Sequence, residues 1–151
     1  MSEYSRYDEY KMLVEDTARF TDRRQSASTL YTSVNSIFLA ALSFVIKDLN
    51  VAEKYTIFAS VVIILAGIAS CISWGTYLQS YKKLIEFRFK VLKEMEQTPG
   101  MKESIKIYAR EDEFYYSQDK GQGLFTKTEQ NLPRIFGVIY VIALIAIFVL
   151  T

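Results

Sequence analysis

"YTIFASVVIILAGIASCISWGTYL", Tyr55 to Leu78, runs for 24 residues without a charged side chain. That is enough helix to cross a hydrocarbon layer of roughly 30 Å with some tilt. A soluble helix keeps one polar face, and this segment has none, so lipid is the solvent that suits it. Two shorter apolar blocks flank it: Leu30 to Ile46 and the run from Ile135 to the end, each 17 residues long. The three blocks predict an all-α integral membrane protein with a two-span hairpin (spans about 30–46 and 55–78, within a segment 29–78) and a third transmembrane helix over 133–151. Pro133 is expected in the first turn of that last helix, with Thr128 or Asn131 as its cap, because the missing N–H would have no partner there anyway.

Charge sets the expected orientation. Of the 18 Lys and Arg residues, five precede the first span, Lys47 and Lys54 lie in the short turn, and eleven lie between the second and third spans. Basic residues mark the cytoplasmic side, so residues 1–28 and 79–132 are expected in the cytoplasm. Residues 1–28 are too charged to read as a cleavable leader, so the N-terminus is expected to be retained. Tyr55, Trp74, Tyr77, Tyr81 and Tyr140 are the aromatic candidates for interfacial anchors.

The formal net charge of +1 gives no global field for nucleic acid. With no histidine and only Cys71 as a thiol, the familiar zinc and nucleophile constellations are absent. No catalytic activity, metal or cofactor is expected.

The cytoplasmic parts read as helix. Neither Gly nor Pro occurs from Ser2 to Ile46, and only Gly67 and Gly75 interrupt the stretch from Tyr55 to Gln97. The stop signal "TPG" follows, then a second helical stretch, "MKESIKIYAREDEFYYSQ", and a loop around "GQG". On a helical wheel Tyr77, Leu78, Tyr81, Leu84, Ile85, Phe89, Val91, Leu92 and Met95 form one apolar stripe, and Tyr4, Tyr7, Tyr10, Val14, Ala18 and Thr21 form another. The two stripes are expected to bury each other in a cytoplasmic bundle.

Arg88 falls within the apolar stripe, where a guanidinium needs a partner. One reading pairs it with a carboxylate such as Glu103, Glu111 or Glu113; the other makes it a ligand or gating contact. Lys82 and Lys83 lie just beyond the second span, near Arg88 and Lys90, with Arg23 and Arg24 at the same depth on the first helix. Such clusters serve topology and anionic lipid, or else form a basic ring or an anionic-ligand site.

The first span is not purely apolar. Thr29, Thr32, Ser33, Ser36, Ala40 and Ser43 share an arc of about 100° at helical spacing, with Asn35 at its margin. Continued backwards, the same phase meets Thr21, Ala18, Val14 and Tyr10, so one face is expected to pack in the cytoplasm and turn polar in the membrane. Small and hydroxylated residues suit a close packing seam; equally, they suit a wetted pathway with a constriction near Ala40 or Phe44. Gly67, Cys71 and Gly75 offer the second span a packing seat of its own. A protomer of two or three spans cannot enclose a pore, so the channel reading requires a cyclic homo-oligomer, for which a tetramer is one candidate. The competing reading is a non-conducting scaffold that recruits a cytoplasmic partner through residues 79–118.

"SWGTYLQSYKKLIEFRFKVLKEME", then Pro99, a helix containing "REDEF", and "TKTEQNLPRIFGVIY" resemble the SLATT family of small bacterial membrane proteins. The likeness takes in an inward-facing basic residue, here Arg88, and a Met-Glu pair near the end of the long second helix, here Met95 and Glu96. The resemblance implies a multi-pass protein of the bacterial inner membrane, acting as a pore-forming effector in antiviral defence. It also implies gating by a nucleotide or oligonucleotide from a partner nucleotidyltransferase. For an anionic ligand, the residues nominated are Arg23, Arg24, Lys82, Lys83, Arg88 and Lys90.

Overall fold

The computed structural model describes residues 6–47, 53–97, 106–110, 113 and 124–150. Three long helices account for nearly all of them: α1, Arg6–Lys47; α2, Glu53–Glu96; and α3, Leu124–Leu150. The short turn after Lys47, the "TPG" and "GQG" stops, Tyr4, Glu103 and Glu111 lie outside the described residues. Of the expected helix over 101–118, the described part is helical at 107–110 and at Glu113.

α1 and α2 run unbroken for 42 and 44 residues, about 63–66 Å at 1.5 Å per residue. Asp8 and Glu9 in the first turn of α1 and Lys47 in its last complement the helix dipole at both ends. Each of the three helices contains a stretch long and apolar enough to span a membrane.

α3 corrects the expected position of Pro133. The helix starts at Leu124, so Pro133 sits in its interior, and Thr128 and Asn131 are helical residues instead of caps. One intrahelical hydrogen bond is forfeited at Pro133. Asn131 Oδ1 accepts instead from Arg134 Nη1 at 3.4 Å.

The chain forms two compact units, one of Met1–Gln25 and Gln79–Thr126, the other of Ser26–Leu78 and Lys127–Thr151. The first holds most of the charge and the second holds the apolar blocks. Within each, α1 and α2 pair antiparallel. In the apolar unit Tyr31 stacks on Trp74 with ring centroids 5.9 Å apart, and Asn35 meets Ser70. In the charged unit Tyr10 meets Glu96 and Phe20 meets Tyr81.

The buried positions recur at steps of seven: Ser28, Asn35 and Leu42 on α1, and Ile64, Cys71, Leu78, Ile85 and Leu92 on α2. On α1 the step from Thr17 to Ser28 is eleven, so Tyr10, Thr17, Ser28, Asn35 and Leu42 stay within about 40° of arc on a straight-helix wheel. That arc lies to one side of the stripe expected on the first helix. On the first helix Tyr10 and Thr17 are buried, whereas Tyr7, Ala18 and Thr21, expected in the apolar stripe, are exposed. The buried line therefore runs through Thr17, Ser28 and Asn35, and the hydroxyl arc lies on a different face.

Candidate functional site in the membrane unit

Thr29, Ser33, Ser36, Ala40 and Ser43 are exposed in the protomer, and Thr32 is half-buried at the edge of the arc. The buried seam with α2 and α3 runs through Asn35 and Leu42. The hydroxyls of the exposed arc are not idle. Thr32, Ser33, Ser36 and Ser43 each donate to the carbonyl four residues back, at 2.9–3.0 Å. Back-bonding satisfies the one donor and leaves acceptor lone pairs outward. Such a face suits water or a closely approaching helix better than bare lipid.

Asn35, at the margin of the arc by sequence, is the centre of the membrane unit. Its side chain is fully buried. Nδ2 donates to Ser70 Oγ at 3.1 Å and to Tyr31 O at 2.8 Å, and Oδ1 accepts from Cys71 Sγ at 3.4 Å. Its main-chain oxygen accepts from the Tyr140 hydroxyl of α3 at 3.1 Å. Three helices thus meet at one residue with every polar atom of the amide partnered, the condition for a polar group to be tolerated away from water. Interhelical bonds of this kind average about 0.6 kcal/mol each, so their weight lies in specifying register more than in stability.

Tyr140 and Trp74, candidates for interfacial anchors, are fully buried instead. The Tyr140 ring lies against Gly67, where a Cβ would overlap it. Gly75 has open space where a Cβ would stand. Of the small residues expected to seat a helix, then, Gly67 seats an aromatic ring. Around this contact Leu42, Ile64, Cys71 and Tyr140 form the apolar core, with Phe38, Leu39 and Phe136 packed on it. Trp74 lies between Tyr31 and Phe136, and its Nε1 has no hydrogen-bond partner among the described residues.

The charged unit brings some of the nominated cations together. Arg88 lies over the Phe20 ring at 4.1 Å, and Arg23 approaches the same ring at 5.7 Å. Among the described residues the carboxylate that meets Arg88 is Asp16, at 3.8 Å; Glu103 and Glu111 lie outside them, and Glu113 is exposed. At that distance the pair is loose, and Arg88 Nη1 has no hydrogen-bond partner among the described residues. Stacking on Phe20 is the closer contact. Lys82 forms an exposed i,i+4 pair with Glu86 at 3.7 Å, Lys83 and Lys90 are exposed, and Arg24 is half-buried. Of the six, Arg23 and Arg88 share a contact, the Phe20 ring.

Glu96 is the residue that helical-wheel reasoning passed over. It is fully buried and accepts three hydrogen bonds: from the Tyr10 hydroxyl at 2.6 Å, and from the backbone N–H groups of Tyr108 at 3.0 Å and Ala109 at 2.8 Å. It thereby caps the helical stretch at 107–110 from another element, as an acidic side chain suits a helix N-terminus. Burial first, then the hydrogen bond to Glu96 and that carboxylate's charge, push the Tyr10 phenol well above its ordinary value. The only sequence signal for Glu96 was the Met-Glu pair in the SLATT likeness. Among the described residues no group of His, Cys, Asp and Glu could hold a metal ion.

Three apolar helices long enough to span a membrane, an intramembrane polar node holding them together and a hydroxylated face left outside define a multi-span helical membrane protein. No curated protein and no solved structure matches the chain. A family model does, over residues 7–149, and the chain belongs to that family, the octameric membrane protein family (8xMP). Membership makes it one of a group of small membrane proteins that self-associate.

Proposed function

We propose that the protein is a membrane pore or channel built from a ring of eight copies, with the α1 hydroxyl face turned to the lumen. The observation that carries this reading is the exposure of Thr29, Ser33, Ser36, Ala40 and Ser43 in a chain whose family is octameric. Ring size has a direct consequence. Eight helices at interaxial distances of about 8–10 Å, each about 11 Å thick, leave a lumen roughly 10–15 Å across. Four helices at the same spacing would close to roughly 3 Å or less. The octamer, in place of the tetramer considered from sequence, would pass hydrated ions and small polar solutes with little selectivity unless Phe44 narrows it.

The SLATT likeness is finer than the family match and supplies the biological part of the proposal. In that reading the pore is an effector in the bacterial inner membrane, N-terminus in the cytoplasm, serving antiviral defence. It opens on a nucleotide or oligonucleotide signal from a partner nucleotidyltransferase. Arg23 and Arg88 around Phe20 are the cations best placed to sense an anion, since among the described residues the carboxylate partner of Arg88 is a loose one.

The test is flux through liposomes containing the purified protein. Ions should pass in at least one ligand state, and Ser36→Leu should reduce that flux. Impermeability in every state, or flux indifferent to Ser33 and Ser36, would overturn the pore. A non-conducting scaffold is the second reading. It is favoured by the large apolar side chains exposed in the charged unit, Met12 at 62%, Phe87 at 63% and Ile107 at 61%, and a stoichiometric partner recovered without leak would select it.

A further inference from the structure

We infer that Asn35 is a positioning residue that sets which face of α1 the hairpin presents outward, and that Tyr140 of α3 holds it in that setting. The inference rests on the reading of the α1 hydroxyl face as the wetted one.

In lipid, apolar side chains gain little by choosing one helix face over another, because the solvent is as apolar as the partner. The rotation of a membrane helix about its own axis is therefore fixed by its polar groups and by shape. In the membrane unit the Asn35 side chain of α1 makes polar contacts to another helix, being bonded to Ser70 and Cys71 of α2. A single buried Asn fixes register in the same way in coiled coils. Ser33 and Ser36 flank it in sequence and, at about 100° per residue, point well away from it; both are exposed. Turning α1 by one residue would bring Ile37 or Val34 into the place of these hydroxyls.

α3 enters through the Asn35 main chain. The Tyr140 hydroxyl bonds the Asn35 oxygen, and its ring is held against Gly67, so displacement of α3 removes a bond from the very residue that orients α1. The third helix is then the element through which α1 can be turned, and Asn35 is the pivot.

Cysteine accessibility reads helix rotation directly. Ser33→Cys, Ser36→Cys, Ile37→Cys and Phe44→Cys are made singly, and the parent chain, whose one cysteine is buried, is the blank. Each is reconstituted in liposomes and treated with a charged, membrane-impermeant methanethiosulfonate. Positions 33 and 36 should label and position 37 should not. Adding Tyr140→Phe, which removes one oxygen, should lower labelling at 36 by roughly threefold, the equivalent of one intramembrane hydrogen bond, and Asn35→Leu by roughly tenfold. Labelling at 37 should rise in both. An unchanged 33/36/37 pattern in Tyr140→Phe and Asn35→Leu overturns the inference, and Tyr140→Phe decides it if Asn35→Leu fails to assemble.

Oxidative disulfide cross-linking between copies separates this inference from the pore. If Ser36→Cys cross-links but never labels, the face is a dry seam and the pore reading fails. The positioning role then stands or falls on whether Tyr140→Phe moves the cross-link from 36 to 37. No label and no cross-link at 33 or 36 places the face against lipid and overturns both.

Discussion

Tyr10 and Glu96 stand 86 positions apart in the chain, and the phenol of one donates to the carboxylate of the other at 2.6 Å. The same carboxylate holds the N–H groups of Tyr108 and Ala109, so one buried side chain fastens three segments. Glu96→Ala removes the carboxylate that three donors share and should cost about 3 kcal/mol, whereas Tyr10→Phe should cost about 1–2 kcal/mol. Thermal unfolding in detergent measures both. Hydrogen exchange at Tyr108 and Ala109 should accelerate in Glu96→Ala and stay slow in Tyr10→Phe.

The Tyr10 phenol has a pH signature. Its pKa in the folded protein lies above the ordinary 10.0, so well below pH 10 both folded and unfolded states hold the proton and this group adds no pH dependence. As pH rises through 10 the unfolded chain releases its proton while the folded one retains it, and stability falls. Unfolding midpoints measured from pH 8 to 11 should decline more steeply in the parent than in Tyr10→Phe.

Two glycines of α2 should answer the same substitution with opposite signs. Gly67→Ala drives a methyl into the Tyr140 ring and should destabilise by about 1–3 kcal/mol. Gly75→Ala meets open space and should be neutral or stabilising by up to about 1 kcal/mol, the helix-propensity difference. Guanidinium or thermal denaturation of the two variants side by side tests the pair, and Gly67→Ala with Tyr140→Leu should recover much of the loss.

Arg88 should depend more on the ring beneath it than on its carboxylate. Asp16 is 45% exposed and 3.8 Å away, so Asp16→Asn should cost less than about 1 kcal/mol. Phe20→Ala removes the half-buried ring that Arg88 and Arg23 share and should cost about 2 kcal/mol. The reverse ranking in unfolding experiments would make the ion pair the principal contact.

Three spanning helices were legible in the sequence because a lipid-crossing segment needs only length and the absence of charge, and both are local properties. Helical continuity of α1 and α2 was legible for a similar reason, since few breakers interrupt either. The start of α3 was not, because Pro133 reads as a helix boundary and only the structure carries the helix back to Leu124. The hydroxyl arc of Thr29, Ser33, Ser36 and Ser43 is a helical-wheel property of one segment, but whether it faced the chain's own helices depended on which face those helices took. Packing turned Ser28, Asn35 and Leu42 inward, roughly 100° round the helix from the arc, and left the arc outside. Glu96, Asp16 and Tyr140 acquired their partners only through tertiary structure. Each bonds across 12 to 105 positions or lies on another helix, and no local pattern encodes a contact whose other half lies on a different helix.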